Sequence, residues 1–160
     1  MNDCFQRAVI QEHSIVVGIA ITTGACRHAQ SLQNLAPASA TAMGRMLTAA
    51  ALVGLLQNRQ GGLSLQMVGN GELGQVFADV NDQGHLRGYV KNPGVEMPSE
   101  FTPNEKHTSP IGPLMGNGEV SMIRMGLDNN YVQSTTLFDS GEIDSDIRDC
   151  IEQSDQIPTQ

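Results

Sequence analysis

The 160-residue sequence has no tryptophan, two tyrosines and four phenylalanines. Without aromatic bulk, its core has to be aliphatic, small and thioether in character, and 17 glycines and eight methionines suit that. Lysine is nearly as scarce, present only as Lys91 and Lys106, and no stretch of clustered Lys or Arg occurs. Nucleic-acid binding needs a basic footprint, which a net charge of −8 does not supply. An anionic membrane surface is a poor partner for the same reason. Cysteine is sparse as well: Cys4, Cys26 and Cys150 are odd in number and widely scattered. That argues against a disulfide framework and for a reducing cytoplasm. The N-terminal Met1-Asn2-Asp3-Cys4-Phe5 lacks a basic region followed by an apolar run, so no signal peptide is expected.

What is present fits one folded domain over residues 1–160, since 39% of residues are apolar and only 16% charged. Ile15, Val17, Ile19 and Ile21 alternate with Val16, Gly18, Ala20 and Thr22. This predicts a strand whose second face is small enough to let another backbone come close. Residues 39–57 form the longest apolar segment, with Pro37 and Ser39 suited to start a helix and Gly61-Gly62 to stop it. It is apolar or small on nearly every side except at Arg45, so it is no ordinary surface helix. Its length also fits a membrane span. Arg45, two threonines and two glycines inside it, with strand patterns around it, favour a helix buried between two sheets.

A meander of three strands is expected next, carried by Leu63, Leu65 and Met67, by Val76, Ala78 and Val80, and by Leu86, Gly88 and Val90. Asn81-Asp82-Gln83-Gly84 suits a hairpin loop. Five of the seven prolines fall between Asn92 and Met115, which reads as a loop or a set of edge segments. The residues from Val68 to Leu73 recur as those from Met115 to Val120, both with a Gly-Asn-Gly-Glu centre. Each copy leads into an apolar strand, an Asn/Asp-rich turn and a strand holding a tyrosine, so the expectation is a repeated meander making two related sheets. The chain ends in an amphipathic helix with Ile143, Ile147, Cys150 and Ile151 on one face, capped by Asp139 or Ser140. The seven carboxylates between Asp139 and Asp155 then form a solvated face.

Several motifs suggest chemistry without completing it. Gly69 to Gly74 matches the dinucleotide fingerprint, but a strand pattern follows where the phosphate-binding helix should start. Asp79 to Gly84 opens like a calcium loop and then has Val90 where the bidentate Glu belongs. His13, His28, His85 and His107 have no zinc-ligand spacing, and Cys26-Arg27-His28 offers only two candidate ligands. No catalytic, cofactor-binding or metal-ligating residue is assigned. Of the methionines, Met43 and Met46 read as core filler. Met122 and Met125 lie on opposite faces of one strand, and flexible thioethers suit a surface that accepts varied apolar partners.

The segment from Leu65 to Leu73, followed by Leu86-Arg87-Gly88-Tyr89-Val90, is similar to the signature of the thirty-three-kilodalton redox-regulated heat-shock chaperones. The Ala/Leu-rich helix before it resembles that family's central helix. The second Gly-Asn-Gly turn, the helix start from Ser140 to Ile143 and the run from Gln153 to Thr159 follow in the family's order. The likeness implies an α+β fold of two sheets enclosing a buried helix. It also implies ATP-independent holding of unfolding client proteins under heat and oxidative stress, and a homodimer that exchanges elements. Zinc is implied only for a C-terminal domain with a C-x-C and a C-x-x-C pair, and neither pair is present here. Cys150 stands where the family has an aromatic, and Asp155 where it has Glu. The sequence also stops before the last strand or strands expected of the core, so a truncated core without its oxidant sensor is the expectation. The alternative is a small enzyme using Cys26 or Cys150 as a nucleophile, or a nucleotide-binding module using the Gly69–Gly74 loop.

Overall fold

Helix formation over the long apolar run organises the molecule. The computed structural model describes residues 2–56, 61–126, 130–156 and 159. Its elements in chain order are β1 (Cys4–Ile10), a short 3-10 turn (Gln11–His13), β2 (Ile15–Ile21), α1 (Thr23–Gln33), α2 (Pro37–Leu56), β3 (Leu63–Gly69), β4 (Gln75–Val80), β5 (Leu86–Val90), α3 (Ile111–Met115), β6 (Gly118–Met125), β7 (Tyr131–Phe138) and α4 (Ile143–Asp155). Pro37 opens α2, where its missing N–H is no loss and its fixed φ already suits the helix. Polar groups inside α2 are satisfied locally. The Thr41 and Thr48 hydroxyls donate to the Pro37 and Gly44 carbonyls, each at 2.8 Å. Ala38, Ala42, Met43, Met46, Leu47 and Ala50 are buried along its length. The helix is long and apolar enough to cross a membrane. Here it lies between β3, β4 and β5 on one side and the β1–β2 pair on the other, with α1 and α4 alongside.

Two glycines show how closely α2 is gripped. A methyl group on Gly54 would lie 2.6 Å from Val80 Cγ1 in the larger sheet, and one on Gly18 would lie 3.0 Å from Leu56 Cδ2. The loop rich in proline holds the other end of the helix. The Ala38 and Ser39 amides donate to the Val95 carbonyl at 3.2 and 3.4 Å, and the Ser39 hydroxyl donates to the Asn92 carbonyl at 2.8 Å.

The larger sheet is antiparallel with order β5-β4-β3-β6-β7. Its register sets Leu65 between Ala78 and Met122, and Met67 between Val76 and Val120. All six side chains are buried, on the sheet face that α2 covers over β3 to β5 and α4 over β6 and β7. The β4–β5 loop forms as its residues predict: Asn81 Oδ1 accepts from the Gln83 and His85 amides, and Gly84 takes φ +80°. The fold is thus α+β with two sheets around a buried helix. The two repeats, however, do not make one sheet each. Both pair with β3, one on each of its edges, and the second sheet is the β1–β2 hairpin alone. The reason is local. The two Gly-Asn-Gly loops interlock, with the Asn70 amide on the Asn117 carbonyl at 3.0 Å and the Asn117 amide on Asn70 Oδ1 at 2.9 Å.

Helix α4 buries Ile143, Ile147 and Cys150 as its pattern requires. Its first residue is preceded by Glu142 rather than capped by Asp139 or Ser140, and Glu142 makes no side-chain bond to the helix. Ser140 acts from outside the helix: its hydroxyl accepts from the Glu142 amide at 3.1 Å and donates to Asp146 Oδ1 at 2.7 Å.

Candidate functional site

The β1–β2 hairpin turns its most apolar face away from the core. Seven paired positions run without a bulge from Cys4↔Ile21 to Ile10↔Ile15. Because side chains alternate along a strand, one face carries Phe5, Arg7, Val9, Val16, Gly18 and Ala20, and the other carries Cys4, Gln6, Ala8, Ile10, Ile15, Val17, Ile19 and Ile21. Gly18 rests on Leu52 and Leu56 of α2, so the small face is the inward one. Ile10, Ile15, Val17 and Ile19 therefore face outward, Ile19 with 63% of its surface exposed. Gln6 is the only polar side chain on that face, and Arg7, the one charge in either strand, is on the other. Both the alternation and the small face on which another element packs closely were legible in the sequence, and Gly18 of that face is the residue against α2.

The hairpin is held by contacts distant in sequence. Asp3 accepts from the Gly24 amide at 2.7 Å and the Ala25 amide at 2.6 Å, capping α1 in place of Thr22, which makes no capping bond. The Phe5 ring packs on Gly84 in the β4–β5 loop. A stable platform thus presents the aliphatic face to solvent.

A second exposed set lies on the outer face of the larger sheet. Phe77 and Tyr89 stack with ring centroids 5.5 Å apart, while Tyr131 and Leu137 are 70% and 84% exposed. This face is broken up by Ser64, Gln66, Ser121 and Thr135, and by Asp79, which takes a bidentate pair of bonds from Arg87 at 2.7–2.9 Å. Met122 is buried and Met125 exposed, on opposite faces of β6 as expected. Met43, Met46, Met67 and Met115 are all core. A groove between α1, α2 and α4 is walled by Leu52, Leu56 and Ile151, with Arg27 and Arg45 at its rim.

The tempting motifs do not assemble. In the Gly69–Gly74 loop the amides of Gly69, Asn70, Gly71, Leu73 and Gly74 all donate to carbonyls of the protein at 2.8–3.1 Å. A methyl group on Gly71 would lie 2.3 Å from the Leu114 carbonyl oxygen. The space that a pyrophosphate would need is filled by the second Gly-Asn-Gly loop. Cys4 is exposed on β1, Cys26 is half-buried on α1 with its thiol 3.7 Å from Thr22 Oγ1, and Cys150 is buried on α4. No histidine hydrogen-bonds a thiol among the described residues, so neither Cys26 nor Cys150 has the adjacent base that activates a nucleophile. His13 and His28 are exposed, His85 bonds Asn81 at 3.3 Å, and His107 is half-buried. Among the described residues no three His, Cys, Asp or Glu side chains come together to hold a metal. The residues present do not fit the zinc site that the resemblance places in a C-terminal domain.

One buried polar cluster is structural. Glu142 Oε1 accepts from the Thr108 and Ser109 amides at 2.9 and 2.8 Å, and its Oε2 accepts from the Ser109 hydroxyl at 2.8 Å and faces Arg45 at 3.5 Å. It clasps the α3 loop to α2 and α4. Nearby, burial pushes the Asp146 carboxyl up, against the pull of the Ser140 hydroxyl.

The Hsp33 protein family model matches residues 3–160. The 33 kDa chaperonin of Acetivibrio thermocellus is 34% identical over 161 residues, covering 99% of this chain and 53% of that protein. The 33 kDa chaperonin of Streptococcus thermophilus is 34% identical over 139 residues, covering 86% and 46%. The crystal structure of the 33 kDa chaperonin from Thermotoga maritima matches with a TM-score of 0.85 at 27% identity, over 96% of this chain and 52% of that one. The chain spans about half the length of the curated relatives it matches. With the family's central helix enclosed by two sheets and the signature strands paired around it, this chain belongs to the Hsp33 family of chaperones.

Proposed function

We propose that this chain is an ATP-independent holdase core, which keeps unfolding cytoplasmic proteins from aggregating under heat and oxidative stress and works as a homodimer. The outward aliphatic face of the β1–β2 hairpin carries this reading, because burying apolar side chains of a client there gains stabilisation without any chemical step. Independence from ATP is supported by the Gly69–Gly74 loop, whose amides are already committed. The open edges of the hairpin favour pairing between copies. A net charge of −8 speaks against nucleic acid and anionic membranes as competing partners.

The test is light scattering of a heat-denatured client mixed with this chain. Suppressed aggregation is expected, and Ile15→Ser with Ile19→Ser should remove most of it, since both side chains are exposed and the fold does not depend on them. Unchanged aggregation at several-fold excess of the chain would sink the proposal. A cysteine-dependent enzyme, the second reading, has no observation in its favour beyond the presence of thiols.

A further inference from the structure

We propose that Asn117 is a site of spontaneous deamidation in the folded chain, and that Asn70, set in the same Gly-Asn-Gly-Glu sequence, is shielded from it by the interlock between the two loops. Asn70-Gly71 and Asn117-Gly118 are the only Asn-Gly pairs in the sequence. The inference goes beyond the chaperone reading and does not depend on it.

An asparagine followed by glycine is chemically labile, since glycine has no side chain to hinder its own nitrogen and its backbone turns freely. The glycine nitrogen gives up its proton and attacks the asparagine Cγ. A C–N bond forms, the bond to the side-chain nitrogen breaks, and ammonia leaves with the proton. Water then opens the resulting succinimide ring. Cleavage at one carbonyl leaves aspartate; cleavage at the other leaves isoaspartate, whose main chain is longer by a methylene. No reactant besides water is consumed. Two things decide the rate in a fold: whether the glycine nitrogen is free, and whether the side chain can swing onto it.

Both asparagines are exposed, so access of water does not separate them. Their contacts do. The Gly71 amide donates to the Met115 carbonyl at 2.9 Å, and a methyl group on Gly71 would lie 2.7 Å from the Leu114 and Met115 carbonyl carbons, so this nitrogen is tied and has no room to move. The Asn70 side chain is tied too: its Oδ1 accepts from the Asn117 amide at 2.9 Å and rests against Gly116. Asn117 enters the interlock through its backbone alone, with its amide on Asn70 Oδ1 and its carbonyl on the Asn70 amide. Among the described residues its side chain makes no hydrogen bond. Its neighbour Gly118 is the first residue of β6, paired with Gly69 and Phe138 at the end of the ladder. Strand ends open more readily than strand interiors. Isoaspartate at position 117 would displace the carbonyl that holds the Asn70 amide, loosening the joint that sets both repeats on β3.

The experiment holds the whole chain, folded and in urea, at mildly alkaline pH and follows both sites by peptide mapping with mass spectrometry. In urea the two sites should react at similar rates, because their tetrapeptides are identical. In the folded chain Asn117 should react about tenfold faster than Asn70, or more. Asn117→Ala keeps both backbone bonds of the interlock, so its thermal midpoint should stay constant with ageing. That of the unaltered chain should fall by about 3 °C or more as isoaspartate accumulates. Folded rates within about twofold of each other, or modification at Asn70 first, would overturn the assignment. So would an Asn117 that stays intact in the folded chain while reacting in urea. The unaltered chain and Asn117→Ala losing stability alike on ageing would overturn the part given to Asn117 in the joint.

Discussion

Asp146 shows at the scale of one residue how burial and charge compete. Its carboxyl is buried where α4 begins, with Ser140 donating to one oxygen and the other without a hydrogen-bond partner among the described residues. Desolvation disfavours the charged form, and Asp149 and Asp139 add like-charge repulsion, so its pKa is raised from the ordinary 3.8. A group whose pKa is higher in the fold than in the unfolded chain favours folding when protonated. That contribution is complete below the unfolded value and is lost as pH rises through the folded one. Asp146→Asn stays neutral throughout. Its stability relative to wild type should therefore rise as pH increases from below the ordinary carboxylate value towards neutrality. Urea unfolding at several pH values checks this, and a difference independent of pH would refute it. Nothing in the sequence marked Asp146 among seven carboxylates, because burial of one face of α4 depends on where the helix docks.

At the scale of elements, the anchoring of the hairpin is the point most open to test. Helix α1 begins without a side-chain cap of its own, and Asp3 supplies one from the strand that starts the chain. Asp3→Ala should cost about 1 kcal/mol, the usual worth of a capping side chain. Amide hydrogen exchange should quicken at Gly24 and Ala25 before it does in β3 or β6. A global loss of protection, with no local signal at the α1 start, would show that Asp3 is not the anchor. Strands β3 to β7 and helix α2 could be read from the sequence, since their apolar spacing follows the period of the element they form. The Asp3 cap could not, because donor and acceptor are separated by 21 or 22 residues. The joining of the two repeats in one sheet was equally hidden. Each repeat has a strand able to pair, and only the interlocked Gly-Asn-Gly loops fix that both pair with β3. The direction of the hairpin was legible by contrast, since Gly18 on the small face of β2 marked the side on which α2 comes close.

For the whole molecule, the distribution of thiols decides how it should respond to oxidants. The C-x-C and C-x-x-C cysteine pairs that the family resemblance implies for an oxidant sensor are not in this sequence. The three cysteines it does have lie on β1, α1 and α4, one exposed, one half-buried and one buried. None is disulfide-bonded to another. Cys4 is the exposed one, on the outward face of the hairpin, where oxidation is expected to link copies of the chain. The expectation is that the aggregation assay gives the same result in reductant and in mild peroxide once Cys4→Ser has removed that route. Thermal unfolding of this variant should likewise be insensitive to reductant. Activity that appears only after oxidation, and persists in Cys4→Ser, would mean that Cys26 or Cys150 controls exposure of the apolar face. In that case switching would be built into the core itself, because α1 and α4 are the elements packed beside the buried helix.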